Sequence, residues 1–543
     1  MEADRRVRVL TLVATALGSA LAFLDTTVVI VALPQMEADL GLGLAGQQWV
    51  YLSYALSLSA FYLVSGAIGD RVGLRRTFVV GVILFAVASL VTALAPDESV
   101  LLAGRAFQGV GGAALTTTSL ALLRVTWAGQ AGRAIGLWTS LTSLATIGGP
   151  SLGGVIVEAV SWRWVFLINV PLAAVTVGLA LAGRGSDERS ETRAALDFVG
   201  SALVASGLVG VTYALVEVRE QGAAHVLLPF LAGVAALAAF VEWTRRAAEP
   251  VVPPRLLRIP GLVAANVVTV VVYAALGAHL LFLPVFLQFL GFSATVAGLA
   301  FAPPGLALVL LAPRFGIYAD RHGPRLPIAA GTIAIGCAVL LLLPVSSERE
   351  AWLWVPVSLL FFAIGLAAVV SPITAAALAP APPELAGVAT GINQMTARVG
   401  GILSVAAIGA LAGAVFVAGG GAGDTPFDPA AVGGVRDAGL GAFRAVALSI
   451  STLAFTSAAL AWWLLGEASP DRSFGVIAGR PPGSSGRAGK GSGRPVACSI
   501  PSPRGARRPG ETNRTSRSGP HPDGERPGGP GGKQRPRQMN DPG

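Results

Sequence analysis

Gly66-Ala67-Ile68-Gly69-Asp70-Arg71-Val72-Gly73-Leu74-Arg75-Arg76 is a short, charged, glycine-rich turn between two long apolar runs. Gly316-Ile317-Tyr318-Ala319-Asp320-Arg321-His322-Gly323-Pro324-Arg325 repeats it 250 positions later, with Gly, Asp, Arg, Gly and Arg in the same register. Pro34 and Pro284 share that offset, each near the end of an apolar run. One such turn is a weak signal. Two at one offset, in similar surroundings, indicate a duplicated membrane unit.

Composition agrees. Of 543 residues, 53% are hydrophobic and only 13% charged, where an ordinary soluble domain is about 25% charged. A body embedded in a bilayer accounts for this, because surfaces facing lipid and surfaces packing helix on helix are both apolar. The net charge of +9 is no sign of nucleic-acid binding, since residues 467–543 hold 14 Lys/Arg against 6 Asp/Glu and the rest of the chain is near neutral. Cys337 and Cys498 stand alone, without disulfide or metal-site spacing. The apolar run after Arg5, Arg6 and Arg8 continues past residue 24 without a small-residue cleavage site, so it reads as an uncleaved first membrane helix.

A membrane helix needs about 20 mostly apolar residues. Runs of that kind fall near 9–33, 47–69, 77–95, 99–123, 133–157, 163–183, 197–217, 225–243, 261–288, 295–318, 326–345, 352–378, 393–418 and 444–465. The reading is an all-α membrane protein of fourteen transmembrane helices. With the N-terminus inside, the inner segments collect 18 arginines and the outer ones 5, the asymmetry that positive-inside orientation demands. Removing one middle helix would invert every later loop and destroy it. The offset pairs helices 1–6 with 9–14, giving two pseudo-symmetric six-helix bundles, residues 1–183 and 261–466. Helices 7 and 8 form an insertion, residues 184–260 with their cytoplasmic connectors. Residues 467–543, rich in Gly, Pro, Arg and Ser, read as a disordered basic cytoplasmic tail. Trp162, Trp164, Trp352, Trp354, Trp462 and Trp463 fall at run ends, where an aromatic belt would place them.

Four features carry chemistry. Asp25 lies inside the first run, where an ionisable group costs several kcal/mol unless it meets a cavity or a partner; there it could hold a proton in one state and release it in another, or serve as a structural hydrogen-bond acceptor. Arg105 lies inside the fourth run, in Leu101-x-x-x-Arg105-x-x-Gln108-Gly109-x-Gly111-Gly112-Ala113. It stays protonated, so it could tune a nearby carboxylate or simply fix helix packing, with Gln108 on the same face. Gly148-Gly149-Pro150-Ser151-Leu152-Gly153-Gly154 makes the fifth run tightly packable and bendable. The turn with Gly66, Gly69, Asp70, Arg71, Gly73, Arg75 and Arg76, with Asp320 and Arg321 in its repeat, is a candidate gate, because orienting charge alone needs no acid. Gln108, Asn169, His279 and Arg398 are candidates for lining a cavity. No Gly-x-x-x-x-Gly-Lys-Ser/Thr loop, His-Glu-x-x-His or Gly-x-Ser-x-Gly occurs, so the chain reads as no enzyme and as using no cofactor.

The two turns resemble the signature loop of the major facilitator superfamily, and Leu101–Ala113 its fourth-helix motif. Gly136-x8-Ala145-x3-Gly149-Pro150-x2-Gly153-Gly154 is similar to the fifth-helix antiporter motif, with Ala145 where that motif has Gly. Leu24–Pro34 resembles the first-helix motif of the fourteen-helix drug:proton antiporters, with Ile30 where Asn is usual. The resemblance implies two bundles rocking about a central cavity and export of amphipathic, often cationic, compounds driven by inward proton flow. It implies exchange at Asp25 assisted by Arg105, gating through Asp70, and suppression of proton leak by the fifth-helix glycines. The partners expected are a small-molecule substrate, protons and the lipid bilayer, with no nucleic acid; the chain would act as a monomer in the plasma membrane with both termini cytoplasmic. A facilitator of an endogenous metabolite, lipid or siderophore on the same fold, or a non-transporting membrane scaffold or sensor, are the alternative readings.

Overall fold

The computed structural model describes residues 2–127, 130–183, 197–247, 250, 254–381, 386–421 and 425–465. The connector 184–196 and the tail 467–543 lie outside these, as do individual side chains within helices, that of Asp70 among them, and the surroundings of Gly136.

Among the described residues there are helices and no strands. The first repeat comprises α1 (Glu2–Leu40), α2 (Gly43–Val72), α3 (Leu74–Ala93), α4 (Glu98–Thr126), α5 (Ala131–Ala159), α6 (Arg163–Leu167) and α7 (Asn169–Ala182). Then come α8 (Phe198–Gln221), α9 (Ala223–Arg246) and the short α10 (Pro254–Leu257). The remaining elements are α11 (Pro260–Phe289), α12 (Ala294–Leu299), α13 (Ala302–His322), α14 (Arg325–Leu340), α15 (Glu348–Leu378), α16 (Ala386–Ala418) and α17 (Gly433–Leu464). Eleven spans are long and apolar enough to cross a membrane, counting α6–α7 and α12–α13 as one each. α14 is shorter, at 16 residues, and α2 and α5 reach 30 and 29 residues, about 45 Å at 1.5 Å per residue. Pro34 and Pro284 do not end their helices; both lie inside them, and α1 continues to Leu40.

Helix pairings recur at the sequence offset. α1 packs on α4, α5 and α7, as α11 packs on α15, α16 and α17. α3 packs on α4 and α7, as α14 packs on α15 and α17, and α2 packs on α4 as α13 does on α15. α8 and α9 pair closely, joined by the single residue Gly222. α8 also lies against both α2 and α16. α9 is the least covered of the spans, 11% buried, with Leu227, Leu228, Leu231 and Val234 exposed. Such a surface is stable against hydrocarbon, not water.

The turns that open the sequence are helix joints. Gly73 (φ +118°) ends α2 and starts α3, and Gly323 (φ +89°) ends α13 one residue before Pro324 and α14. A side chain rarely adopts those backbone angles. Alanine at either position is expected to lower stability by about 1–3 kcal/mol. The two effects should add, because the turns belong to separate repeats; thermal denaturation of the purified single and double variants measures this.

One expectation is corrected. Trp162 is not at a lipid interface but fully buried. Its indole Nε1 donates to Asp39 Oδ2 at 2.8 Å and its backbone N–H to Gln35 Oε1 at 2.9 Å, and a nearby acid that accepts the indole proton makes burial tolerable. Trp164, Trp352, Trp462 and Trp463 are exposed.

Candidate functional site

α4 is the wall on which the site is built. Gly104, Gly109, Gly111 and Gly112 let α2 and α3 approach its backbone. A methyl group on Gly109 would stand 2.7 Å from Ser57 Cβ and 2.9 Å from Leu58 N, and one on Gly111 would stand 2.7 Å from Phe85 N. Arg105 and Gln108, one turn apart, therefore project into a crowded space with no exposed surface.

Asp25 of α1 meets them there, and all three are fully buried. Arg105 Nη1 donates to Asp25 Oδ2 at 2.5 Å and to Gln108 Oε1 at 2.7 Å, and Arg105 Nε donates to the Val50 carbonyl at 3.0 Å. Asp25 Oδ1 accepts from Gln108 Nε2 at 2.9 Å and from Asn169 Nδ2 at 3.3 Å. Ser89 Oγ accepts from the same two amides, at 2.7 and 3.3 Å. The guanidinium lies 4.4 Å from the centre of the Tyr54 ring, and Tyr54 Oη donates to the Ala22 carbonyl at 3.1 Å. Arg105 Nη2 and Asn169 Oδ1 have no hydrogen-bond partner among the described residues. Taking two charges out of water costs several kcal/mol per ion, recovered only when lone pairs and protons are satisfied. Five of the hydrogen bonds above do that for the carboxylate and guanidinium. A group that separated the pair, or a proton that neutralised it, would act on five helices at once: α1, α2, α3, α4 and α7.

The α5 glycines serve two neighbours. A methyl on Gly153 would stand 2.7 Å from Val28 Cγ1, and Gly149 abuts Thr27, so this face packs on α1 next to Asp25. A methyl on Gly154 would stand 2.7 Å from Thr295 Cα of α12, while Gly298 of α12 abuts the Pro150 carbonyl. Contacts from the first repeat to the second cluster toward this end of the molecule. Thr295 N donates to Glu158 Oε2 at 3.2 Å, Gln288 Nε2 to the Val31 carbonyl at 3.1 Å, and Gln48 Nε2 to the Val405 carbonyl at 2.6 Å. At the other end, Arg71, Arg76, Asp320 and Arg321 are exposed. Arg75 donates to the Ala180 carbonyl at 2.7 Å and to Thr11 Oγ1 at 3.1 Å, both within the first repeat. Gly66 faces open space and Gly69 packs toward Thr118 of α4.

The pattern that defines the Major Facilitator Superfamily matches residues 15–405. The chain belongs to that superfamily. This transporter is 34% identical to the multidrug resistance protein Stp of Mycobacterium tuberculosis over 411 residues, 75% of this chain and 76% of that one. It is 34% identical to the tetracenomycin C resistance and export protein of Streptomyces glaucescens over 410 residues, 74% and 75% of the two chains. It is 32% identical to the puromycin resistance protein pur8 of Streptomyces alboniger over 462 residues, 82% and 89%. Among solved structures, an auto-inhibited POT family peptide transporter superposes with a TM-score of 0.61 at 16% identity, covering 83% of this chain and 96% of that one. A bacterial homologue of the lysosomal transporter Spinster, inward-facing and unoccupied, gives 0.58 at 16% identity, covering 84% and 96%. These two share the fold. The transporter is a multi-pass protein of the cell membrane acting on small molecules.

Of the residues singled out in its sequence, Asp25, Arg105, Gln108 and Asn169 come together in one cluster; Gln108 and Asn169 hold Asp25 and have no exposed surface. His279 is buried in the second repeat, its ring 4.2 Å from that of Phe362. Arg398 of α16 is half-buried, 5.5 Å from the Tyr62 ring. Ser89, Tyr54 and the Val50 carbonyl belong to the cluster but carried no signal, since a serine, a tyrosine and a backbone oxygen in an apolar run are ordinary helix content. Gln48 and Gln288 carried a weak one, as uncharged amides near the ends of apolar runs.

Proposed function

We propose that this transporter is a proton-coupled antiporter that exports amphipathic drugs or toxic small molecules from the cytoplasm by alternating access. It would have fourteen membrane helices: two six-helix bundles, α1–α7 and α11–α17, and the inserted pair α8–α9. It would work as a monomer with both termini cytoplasmic and without a cofactor, driven by the proton gradient. The observation that carries this reading is the fully buried Asp25–Arg105 pair inside a membrane helix bundle. A carboxylate held by a permanent cation, and wired through Gln108, Asn169 and Arg105 itself to α2, α3 and α7, is a place where proton uptake changes helix packing. The relatives that confer resistance to or export tetracenomycin C and puromycin support the drug class.

Everted vesicles from a pump-deficient host test it. Adding puromycin or ethidium to vesicles holding a preformed pH gradient should dissipate that gradient with the wild type. Asp25→Asn should reduce this at least tenfold at equal membrane abundance, a loss of about 1.4 kcal/mol or more of coupling. Equal dissipation by both would remove Asp25 from coupling.

A further inference from the structure

A chain of spaces runs along one face of α16, from the flank of the protein to the crossing of α2 and α16. It begins as a groove of about 750 Å³ between α8–α10 and the helices α11 and α16, walled by residues such as Leu208, Leu237 and Val399. Arg245 and Arg258 line it and are exposed. Beyond it lies a void of about 10 Å³ between Ser59 of α2, Gly200 and Val204 of α8, Phe240 of α9 and Met395 of α16. A second void of about 10 Å³ follows, bounded by Ser59, Tyr62, Met395 and Arg398. Met395 lines all three spaces. Gly391, Met395 and Arg398 stand four and three residues apart, so they share one helix face.

The end of this path is electrostatically unfinished. Arg105 has Asp25, and Arg245 has Glu242 at 3.4 Å. No acidic side chain pairs with Arg398 among the described residues; the Tyr62 ring lies 5.5 Å from its guanidinium. An arginine keeps its charge, and an unanswered charge at membrane depth is costly. A carboxylate is the group a guanidinium receives in two parallel hydrogen bonds. Met395 is unbranched, with three rotatable bonds, and turning it joins the spaces that it now separates.

We infer that the groove beside α8 and α9 is the portal by which an amphiphilic carboxylate leaves the membrane, passes Met395 and seats its head group on Arg398. The inserted helices are then walls of this portal. The inference rests on the export reading for its purpose, but binding alone tests it. The full-length protein would be placed in phosphatidylcholine nanodiscs and titrated with an NBD-labelled dodecanoate and with its methyl ester. The wild type should bind the carboxylate about tenfold tighter, the discrimination a charge-assisted hydrogen bond provides. Arg398→Gln should bring the carboxylate to the ester's affinity and leave the ester unchanged. Met395→Trp should slow association of both probes about tenfold without altering the preference. Equal wild-type affinities overturn the Arg398 site, and unaltered association in Met395→Trp overturns the portal. If the carboxylate binds as described but is not exported, the export reading falls and this site stands.

Discussion

Arg105→Met should destabilise the folded protein by about 3–5 kcal/mol, the cost of stranding one partner of a buried ion pair. Methionine fills much of the same volume, so the loss is electrostatic. Asp25 would keep the amide donors of Gln108 and Asn169 but lose the cation that it pairs with, and the Val50 carbonyl would lose its side-chain donor. The double variant Asp25→Asn/Arg105→Met removes both charges and should regain at least half of that loss, because replacing a whole buried pair is often neutral. Unfolding of the purified proteins under denaturant, arranged as a double-mutant cycle, measures the coupling. A single variant no less stable than the double one would mean that the pair is incidental to packing. The double variant, though folded, should show no proton-coupled efflux, which separates the pair's structural part from its proposed chemical part.

Gly154→Leu should hold α5 and α12 apart. A Cβ at Gly154 meets the backbone of Ala294 and Thr295 rather than a flexible side-chain end, so one helix must move. Overpacking of this kind costs about 1–3 kcal/mol, enough to shift a two-state equilibrium roughly five- to 150-fold away from the arrangement seen. Spin labels at Val160→Cys and Leu299→Cys, two exposed positions near the ends of α5 and α12, would report the separation. The longer distance should become the major population, and resistance conferred on a sensitive host should fall to background if both states are needed for export. Gly148→Ala is the control, because among the described residues no atom of another helix lies within 4 Å of its Cβ position, and it should change neither readout. Unaltered distances in Gly154→Leu would show that this contact does not decide which end is closed.

Much of this was legible in the order of residues alone, for a reason peculiar to membranes. In hydrocarbon every backbone group must be paired within the segment, so apolar runs become helices and little else. A charge inside such a run is conspicuous because it is expensive there. Asp25, Arg105 and Arg398 announce themselves that way. The turn at Gly73 and its repeat at Gly323 are visible because no other residue accepts that backbone as readily.

What the order of residues could not decide is which charges meet. Asp25 and Arg105 stand 80 positions apart, and they meet in a space that α2 and α3 close off by packing against glycines on α4. Arg398 looks the same in an apolar run, yet among the described residues the fold pairs it with no acid and sets it near the Tyr62 ring. Trp162 looks like an interfacial tryptophan until the fold sets Asp39 against its indole. One-dimensional hydropathy determines that a segment is buried in lipid or protein and prices a charge placed there. Whether that price is met by a partner is a property of distance between helices, which only the tertiary structure sets.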